Sequence, residues 1–438
     1  MPEKRSIFVV QWDEGVFTRE KLLQWATRQS EVFLFLEGGD RSDPYTAFDY
    51  ALALGPQSDL RCFTVGRAFD KLVDYQHRIG DWLFGHLSYD LKNELERVHS
   101  SQDDRIGFPE CFFFQPKRLL IKKGKRLEFH YLDSGQIKGD CIAIRQTSLE
   151  PEKRSTVSKL RFTLQRHAYC KRVEQLQKHI RRGDFYEVNF CLELIARGRI
   201  DALHTYLELQ RLSQAPFSAF YGLGHLRALC SSPERYLCKR GDQITAQPIK
   251  GTAPRGVNAQ VDRQLRAELQ NSIKEQAENN MIVDLVRNDL SKIAADGSVK
   301  VLELRKIYSF PEVHQMISTI SCRLAAGCSW AAALKASFPM GSMTGAPKVS
   351  ALKAIEATEN FKRGLYSGAI GYISPQRDFD FNTVIRTLQY DLKNAWLSYP
   401  VGSAITLSSD AEKEYEECLT KSSAIRKILA AKRSFSPP

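Results

Sequence analysis

Gln247-Pro248-Ile249-Lys250-Gly251-Thr252-Ala253-Pro254-Arg255-Gly256 is the stretch on which the reading of this 438-residue chain turns. A strand-like run with Ile244 and Thr245 leads into it, and two prolines and two glycines then force a fixed, non-helical path. Lys250 stands inside that rigid bend beside a glycine, where a ligand can approach the backbone closely. Taken alone, the bend reads as a surface turn with a solvated lysine. The residues on both sides of it change that reading, because they include the partners a reactive lysine needs.

Working outward, the bend belongs to a run of short strands and isolated helices without a βαβ rhythm. Val32–Leu36, Leu83–Asp90, Cys111–Phe114 and Leu127–Tyr131 read as strands in the first part of the chain. Residues 149–158 are polar, contain a proline and read as a linker. After it, apolar spacing through Tyr169, Val173, Leu176 and Ile180 predicts a helix over 166–182, stopped by Gly183-Asp184 and followed by a strand over 185–190. One long helix is expected over 261–286 and another over 409–431, the latter capped by Ser409 or Asp410. The pattern predicts an α+β protein with large, mostly antiparallel sheets. It divides into an N-terminal region, 1–150, and a catalytic region, 160–430, intertwined in one unit.

Composition narrows the class. No apolar run approaches the ~20 residues of a membrane span. The ten cysteines are scattered with no CxxC pair, as expected of reduced thiols in a cytoplasmic protein. The net charge of +12 is dispersed, with no nucleic-acid-binding motif, so it reads as a solvated surface that also suits a small anionic substrate.

Two predicted helices carry paired carboxylates: Glu275 with Glu278, and Glu414 with Glu417. At i, i+3 both members of a pair leave one helix face, where like charges repel unless a cation joins them. Two such faces brought together offer hard oxygen ligands for Mg²⁺; separately they are ordinary acidic surfaces. Glu234, just after Pro233, is a candidate general acid. Gly341-Ser342-Met343-Thr344-Gly345-Ala346-Pro347-Lys348 reads as an anion cradle entering a helix at Val349, and is not a Walker A loop.

These stretches together resemble the chorismate-utilising enzymes, most closely the aminodeoxychorismate synthases (component I). The resemblance rests on GDFYEVN (183–189), SPER (232–235), PIKGTAPRG (248–256), KEQAENNMIVDLVRNDL (274–290), FPEVHQMIST (310–319), GSMTGAPK (341–348), YSGAIGY (366–372), VIRT (384–387) and EYEE (414–417). FLEGGDRSDPYTAFD (35–49) and GHLSYD (85–90) match more loosely. The family fold is a two-lobed sandwich of two large antiparallel sheets packed together, with helices outside and the active site in a cleft. The resemblance implies a catalytic set of Lys250, Glu234, His314 and Thr252. Lys250 is then the nucleophile that adds to ring C2 of chorismate, and Glu234 the acid that protonates the departing C4 hydroxyl. Mg²⁺ is implied at Glu278 and Glu417, with Glu275 and Glu414 acting through water. Substrate contacts are implied for Ser342, Tyr366, Arg386, Gly402, Ala404, Lys421 and Glu187.

Lysine at position 250 favours the amination of chorismate, since the anthranilate and salicylate synthases of the family carry alanine there. The rivals are those sister enzymes, an isochorismate synthase, or a non-catalytic chorismate- or tryptophan-binding relative. No glutaminase motif is present, so the resemblance implies ammonia from a separate glutaminase subunit. Three departures stand out. Glu187 replaces the family's glutamine. Gly402-Ser403-Ala404 replaces three glycines, so side chains are expected to crowd the substrate carboxylate. Gly38 replaces a serine of the family's tryptophan pocket, whose other walls match Tyr45, Thr46, Phe48, Pro216 and Phe217.

Overall fold

Two long strands, Tyr50–Cys62 and Cys111–Lys123, run antiparallel to each other and pass through both of the protein's large sheets. The computed structural model describes residues 4–38, 43–310 and 313–433. Pro56 faces Pro116 where the two strands bend, and the register slips between Pro56 and Ser58. Neither proline has an N–H for the ladder, so the pairing loosens there and each strand can change sheets. Beyond the bend, Cys111–Lys123 pairs with Leu83–Leu87 at one end and with Arg126–Tyr131 at the other.

The first sheet continues from Tyr50–Cys62 through Val32–Glu37, Phe217–Leu223, Leu226–Ser232, Thr387–Asp391 and Trp396–Ile405 to Glu187–Arg199. The second continues from Leu83–Leu87 through Ala369–Ile373, Phe379–Thr383, Arg235–Arg240 and Gln243–Gln247 to Val313–Arg323. Val313–Arg323 carries both Ile249–Pro254 and Lys300–Ser309. Every pairing is antiparallel, as the strand pattern without βαβ units predicts. Residues 1–150 contribute strands to both sheets.

Alternation along single strands shows the layering. In Val32–Glu37, Leu34 and Leu36 enter a core that also holds Phe112, Phe114, Tyr221, Ile370 and Tyr372, so the two sheets pack face to face. Phe33 and Phe35 point the other way, into a core covered by helices Arg19–Gln29, Arg166–Arg182 and Ala202–Ser213. On the second sheet, Phe113 faces a third core beneath Ala68–Ile79 and Trp330–Ser337. Each fully buried phenylalanine contributes about 1.5–3 kcal/mol relative to exposure. This is the two-lobed α+β sandwich expected from the sequence.

Several boundaries differ from expectation. The helix expected over 261–286 is two, Ala259–Asn271 and Ile273–Ser291, because Ser272 is extended and its hydroxyl accepts the Glu275 N–H as a new N-cap. The helix expected over 409–431 is likewise two, Ala411–Lys421 and Ser423–Arg433, and its cap is Asp410, which accepts from the Glu412 and Lys413 amides. The strand expected over 185–190 runs over Glu187–Arg199, and the end of the 149–158 linker, Thr156–Val157, pairs with it. All ten cysteines are free thiols. Among the described residues no helix is long and apolar enough to cross a membrane.

Candidate active site

The bend at 248–256 contains a β-bulge. Ile249 pairs with Ile317 and Thr252 with Gln315, so Lys250 and Gly251 together oppose the single residue Met316. An inserted residue bends its strand and re-aims its side chain. Gly251 has φ +90°, and a Cβ there would lie 3.0 Å from Glu275 Oε2, so both conformation and space call for glycine. Behind the bulge, Asp262 accepts from Arg255 Nε (2.7 Å), from the Gly256 N–H (2.8 Å) and lies 3.1 Å from His314 Nε2. His314 Nδ1 bonds the Ser309 hydroxyl at 2.8 Å. His314 is therefore buried behind the bend, where it braces it, and is absent from the cleft lining.

The bulge opens onto a cleft of about 420 Å³ between the sheets' ends and the two glutamate helices. Lys250, Thr252, Glu234, Ser342, Tyr366, Arg386, Gly402, Ala404 and Lys421 line it, together with all four paired glutamates. Lys250 Nζ bonds Glu187 Oε1 at 2.5 Å, and both side chains are almost fully buried. Glu187 reaches the lysine from strand Glu187–Arg199, behind the cleft wall. Burial opposes the charge on Lys250, but the fields of Glu187 and then Glu278 outweigh it and hold its pKa well above the ordinary lysine value. Glu234 is pushed up to about 7, chiefly by burial, although the Ser342 hydroxyl bond (2.5 Å) and Lys250 pull it down. A carboxyl group poised there is a proton donor at neutral pH.

The two glutamate helices do meet. Lys274 Nζ lies 3.4 Å from Glu414 and 3.8 Å from Glu278, bridging them. Burial raises Glu275, and pushes Glu278 up to about 7. Burial would also raise Glu417, but Lys421 at 2.5 Å outweighs it and the net shift is down. Glu278 Oε1 and Glu414 Oε2 are buried without a hydrogen-bond partner. Orphaned carboxylate oxygens facing one cleft fit a hydrated Mg²⁺, which takes one or two carboxylates and keeps waters or substrate oxygens for the rest. Among the described residues no three such side chains converge into a ready-made cage.

At the other end, Arg386 has the left-handed φ of +53° and donates to the Lys421 carbonyl at 3.3 Å. Tyr366 is buried with its hydroxyl 3.7 Å from Cys191 Sγ. A Cβ on Gly402 would strike Cys191 Sγ at 2.5 Å. The crowding expected from Ser403 does not arise: its hydroxyl turns into the core to meet Tyr169 at 2.9 Å, and Ala404 alone adds a methyl to the lining. The expected anion cradle at 341–348 is corrected too. The Met343 and Thr344 amides are committed to the Met340 and Gly341 carbonyls, and Lys348, the first residue of the helix, bonds Asp289 at 2.7 Å. Only Ser342 and Met343 of that stretch reach the cleft.

Gly38, Thr46, Phe48 and Phe217 line a separate space of about 40 Å³ among the described residues, room for a few waters. Arg235 fills the neighbouring volume, bonded to Asp43 (2.6 Å) and Asp380 (2.9 Å) with its guanidinium over Phe217 and Tyr45. Pro216 is buried outside that lining. Sequence reasoning missed Asp262, Lys274 and Gln315. Lys274 was signalled by its i, i+4 spacing to Glu278, whereas Asp262 is one charge among many on its helix.

An antiparallel double-sheet sandwich with this cleft defines a class, and the chain belongs to the chorismate binding enzyme family, whose profile matches residues 34–427. It is 36% identical over 343 residues to aminodeoxychorismate synthase component 1 of Klebsiella aerogenes, covering 77% of this chain and 74% of that one. It is 42% identical over 283 residues to a probable chloroplastic aminodeoxychorismate synthase of Oryza sativa, covering 63% of this chain but only 31% of that longer protein. Among solved structures, anthranilate synthase component I of Streptococcus pneumoniae superposes with a TM-score of 0.75 at 26% identity, over 86% of this chain and 91% of that one.

Proposed function

We propose that this chain converts chorismate and ammonia to 4-amino-4-deoxychorismate, as component I of an aminodeoxychorismate synthase. The observation that carries this reading is Lys250, re-aimed by a bulge into the same cleft as a buried carboxyl group held near pKa 7, Glu234. The names of the Klebsiella and rice relatives support it. The neutral amine of Lys250 forms a bond to ring C2 while Glu234 gives its proton to the C4 hydroxyl, which leaves as water. Ammonia then attacks C4 and the C2–N bond breaks, returning its electron pair to Lys250. One hard displacement becomes two easier ones.

Arg386 offers a planar fork for a substrate carboxylate, which an ammonium cannot match. Glu278 and Glu417, with Glu275 and Glu414 behind waters, would hold Mg²⁺, which neutralises the ring carboxylate when bound. Ammonia comes from a separate glutaminase subunit, and ten free thiols suit the reducing cytoplasm.

The test is an assay with chorismate, Mg²⁺ and ammonium salts at alkaline pH, its products resolved by chromatography. 4-Amino-4-deoxychorismate is expected, and glutamine alone is expected to support no reaction. Anthranilate or isochorismate as the product would overturn the assignment in favour of a sister enzyme. With ammonia withheld, intact mass spectrometry is expected to find chorismate-derived mass on the Lys250 peptide, absent in Lys250→Ala.

A further inference from the structure

Three lysines line the cleft together with the paired glutamates. Lys250 pairs with Glu187, and Lys421 pairs with Glu417 at 2.5 Å. The third, Lys274, bridges the two helices: its Nζ lies 3.4 Å from Glu414 Oε1 and 3.8 Å from Glu278 Oε1. Of the four paired glutamates, these two have a buried oxygen without a hydrogen-bond partner among the described residues, Glu278 Oε1 and Glu414 Oε2. The ammonium therefore stands where the orphaned oxygens of both helices converge. Its hold there is weak for three physical reasons. Lys274 lies in the first turn of helix Ile273–Ser291, where the positive end of the helix dipole disfavours a cation. A lysine four residues before its glutamate is the poorer order of that pair on a helix. Both distances exceed those of an ordinary charge-assisted hydrogen bond, and the side chain is 45% exposed, so its flexible stem can swing to solvent.

Mg²⁺ lies about 2.1 Å from its oxygen ligands. With Lys274 Nζ 3.8 Å from Glu278 Oε1, an ammonium and a metal on the same carboxylate would be crowded together and repel. We propose that Lys274 is a tethered placeholder for the Mg²⁺ of the proposed function, on which this inference rests. Lys274 neutralises Glu278 and Glu414 before the metal binds, and gives way toward solvent when it does. The placeholder also sets selectivity. To a monovalent cation Lys274 is an equal competitor, present at the high effective concentration of a tethered group. To a divalent one it yields, because two charges on the same carboxylates outweigh one. No covalent bond changes and no proton is transferred.

Isothermal titration calorimetry of Mg²⁺ into the substrate-free chain tests this in wild type, Lys274→Met and Lys274→Arg. Methionine keeps an unbranched stem without the charge. Its Kd for Mg²⁺ is expected to fall on the order of tenfold, the effect of removing one charge at this range even under water-like screening. Arginine keeps the charge and grips carboxylates through a fork, so its Kd is expected to rise; this variant decides the matter if Lys274→Met fails to fold. Exchanging tetramethylammonium for potassium at one ionic strength is expected to weaken Mg²⁺ binding to Lys274→Met several-fold and to leave the wild type unchanged. A Kd that is unchanged or raised in Lys274→Met, or lowered in Lys274→Arg, would mean that Lys274 only ties the helices together. Potassium acting equally on wild type and Lys274→Met would mean that Lys274 excludes nothing. Either result overturns the placeholder while the metal site stands. A wild-type chain that binds no Mg²⁺ overturns the metal site itself, and the placeholder with it.

Discussion

Glu187 Oε1 and Lys250 Nζ are 2.5 Å apart, a buried ion pair that links strand Glu187–Arg199 to the bulge of the PIKGT bend. The pair has a cost for the proposed chemistry, since a lysine held above its ordinary pKa is a poorer nucleophile. Glu187→Gln removes the strongest field that keeps Lys250 charged and leaves burial opposed only by the weaker fields of Glu278 and Glu234. Adduct formation, which needs the free amine, is therefore expected to extend to lower pH by about one unit or more, equivalent to at least 1.36 kcal/mol of lost pairing. Intact mass spectrometry after timed mixing with chorismate across a pH series reads the shift. An unchanged profile would mean that Glu187 does not govern the charge on Lys250.

In the proposed reaction Glu234 acts in its acid form, and its shift up to about 7 sets where that form is lost. The step that expels the C4 hydroxyl also needs the free amine of Lys250, whose pKa lies higher, so its rate is expected to climb with pH up to about 7 and to level off above it, where Glu234 loses its proton as fast as Lys250 gains a free amine. Ser342 bonds the carboxylate and pulls the pKa down, so Ser342→Ala is expected to move this break to higher pH. Glu234→Gln is expected to cost about 10²–10⁴-fold in rate, the usual worth of a positioned acid. Single-turnover rates against pH in the three proteins check both signs, and a break that ignores Ser342→Ala would assign it to another group.

The parts of this site that were legible in the sequence are those written in local chemistry. The proline-glycine spacing marked the bend, i, i+3 spacing put each glutamate pair on one helix face, and strands without βαβ rhythm announced antiparallel sheets. What stayed hidden depends on pairing between distant segments. Nothing near Pro56 signals that it will face Pro116 and let two strands join the sheets. Ser272 was read as a mid-helix residue because its capping hydrogen bond competes with helix continuation only when the tertiary fold favours the break. The 341–348 stretch looked like an anion cradle because small residues leave amides free in principle, yet the folded turn uses two of them internally.

Burial outweighs the fields of Lys250 and of Lys274 at 3.8 Å and pushes Glu278 up to about 7, which makes it a destabilising residue in metal-free protein. The folded chain binds more protons at Glu278 than the unfolded one between the ordinary glutamate pKa of about 4.3 and the shifted value near 7. Its contribution therefore worsens as pH rises through that window in metal-free protein. Mg²⁺ is expected to raise the wild-type melting temperature, by the equivalent of about 2.7 kcal/mol at a hundredfold excess over Kd. Glu278→Gln and Glu417→Gln are expected to lose that response and to lose turnover, while Glu278→Gln melts no lower than metal-free wild type. A full Mg²⁺ response in both variants would remove these glutamates from the metal site.

His314 offers the clearest separation of a bracing role from a chemical one. Its ring spans Ser309 and Asp262, and Asp262 also holds Arg255 and the Gly256 amide, so the far end of the PIKGTAPRG bend is fixed through this one cluster. Lys250 lies six residues before Gly256 on the same extended run, and a small displacement of a reacting group can cost up to about 100-fold. His314→Ala is expected to lower kcat on that scale, and Asp262→Ala to do the same although its side chain never touches the cleft. An imidazole acting directly as acid or base would behave otherwise. Its removal would erase a limb of the rate profile near the ordinary histidine pKa of about 6.5. Rate profiles for both variants should keep the wild-type shape at reduced height; a limb lost in His314→Ala but retained in Asp262→Ala would return His314 to the chemistry.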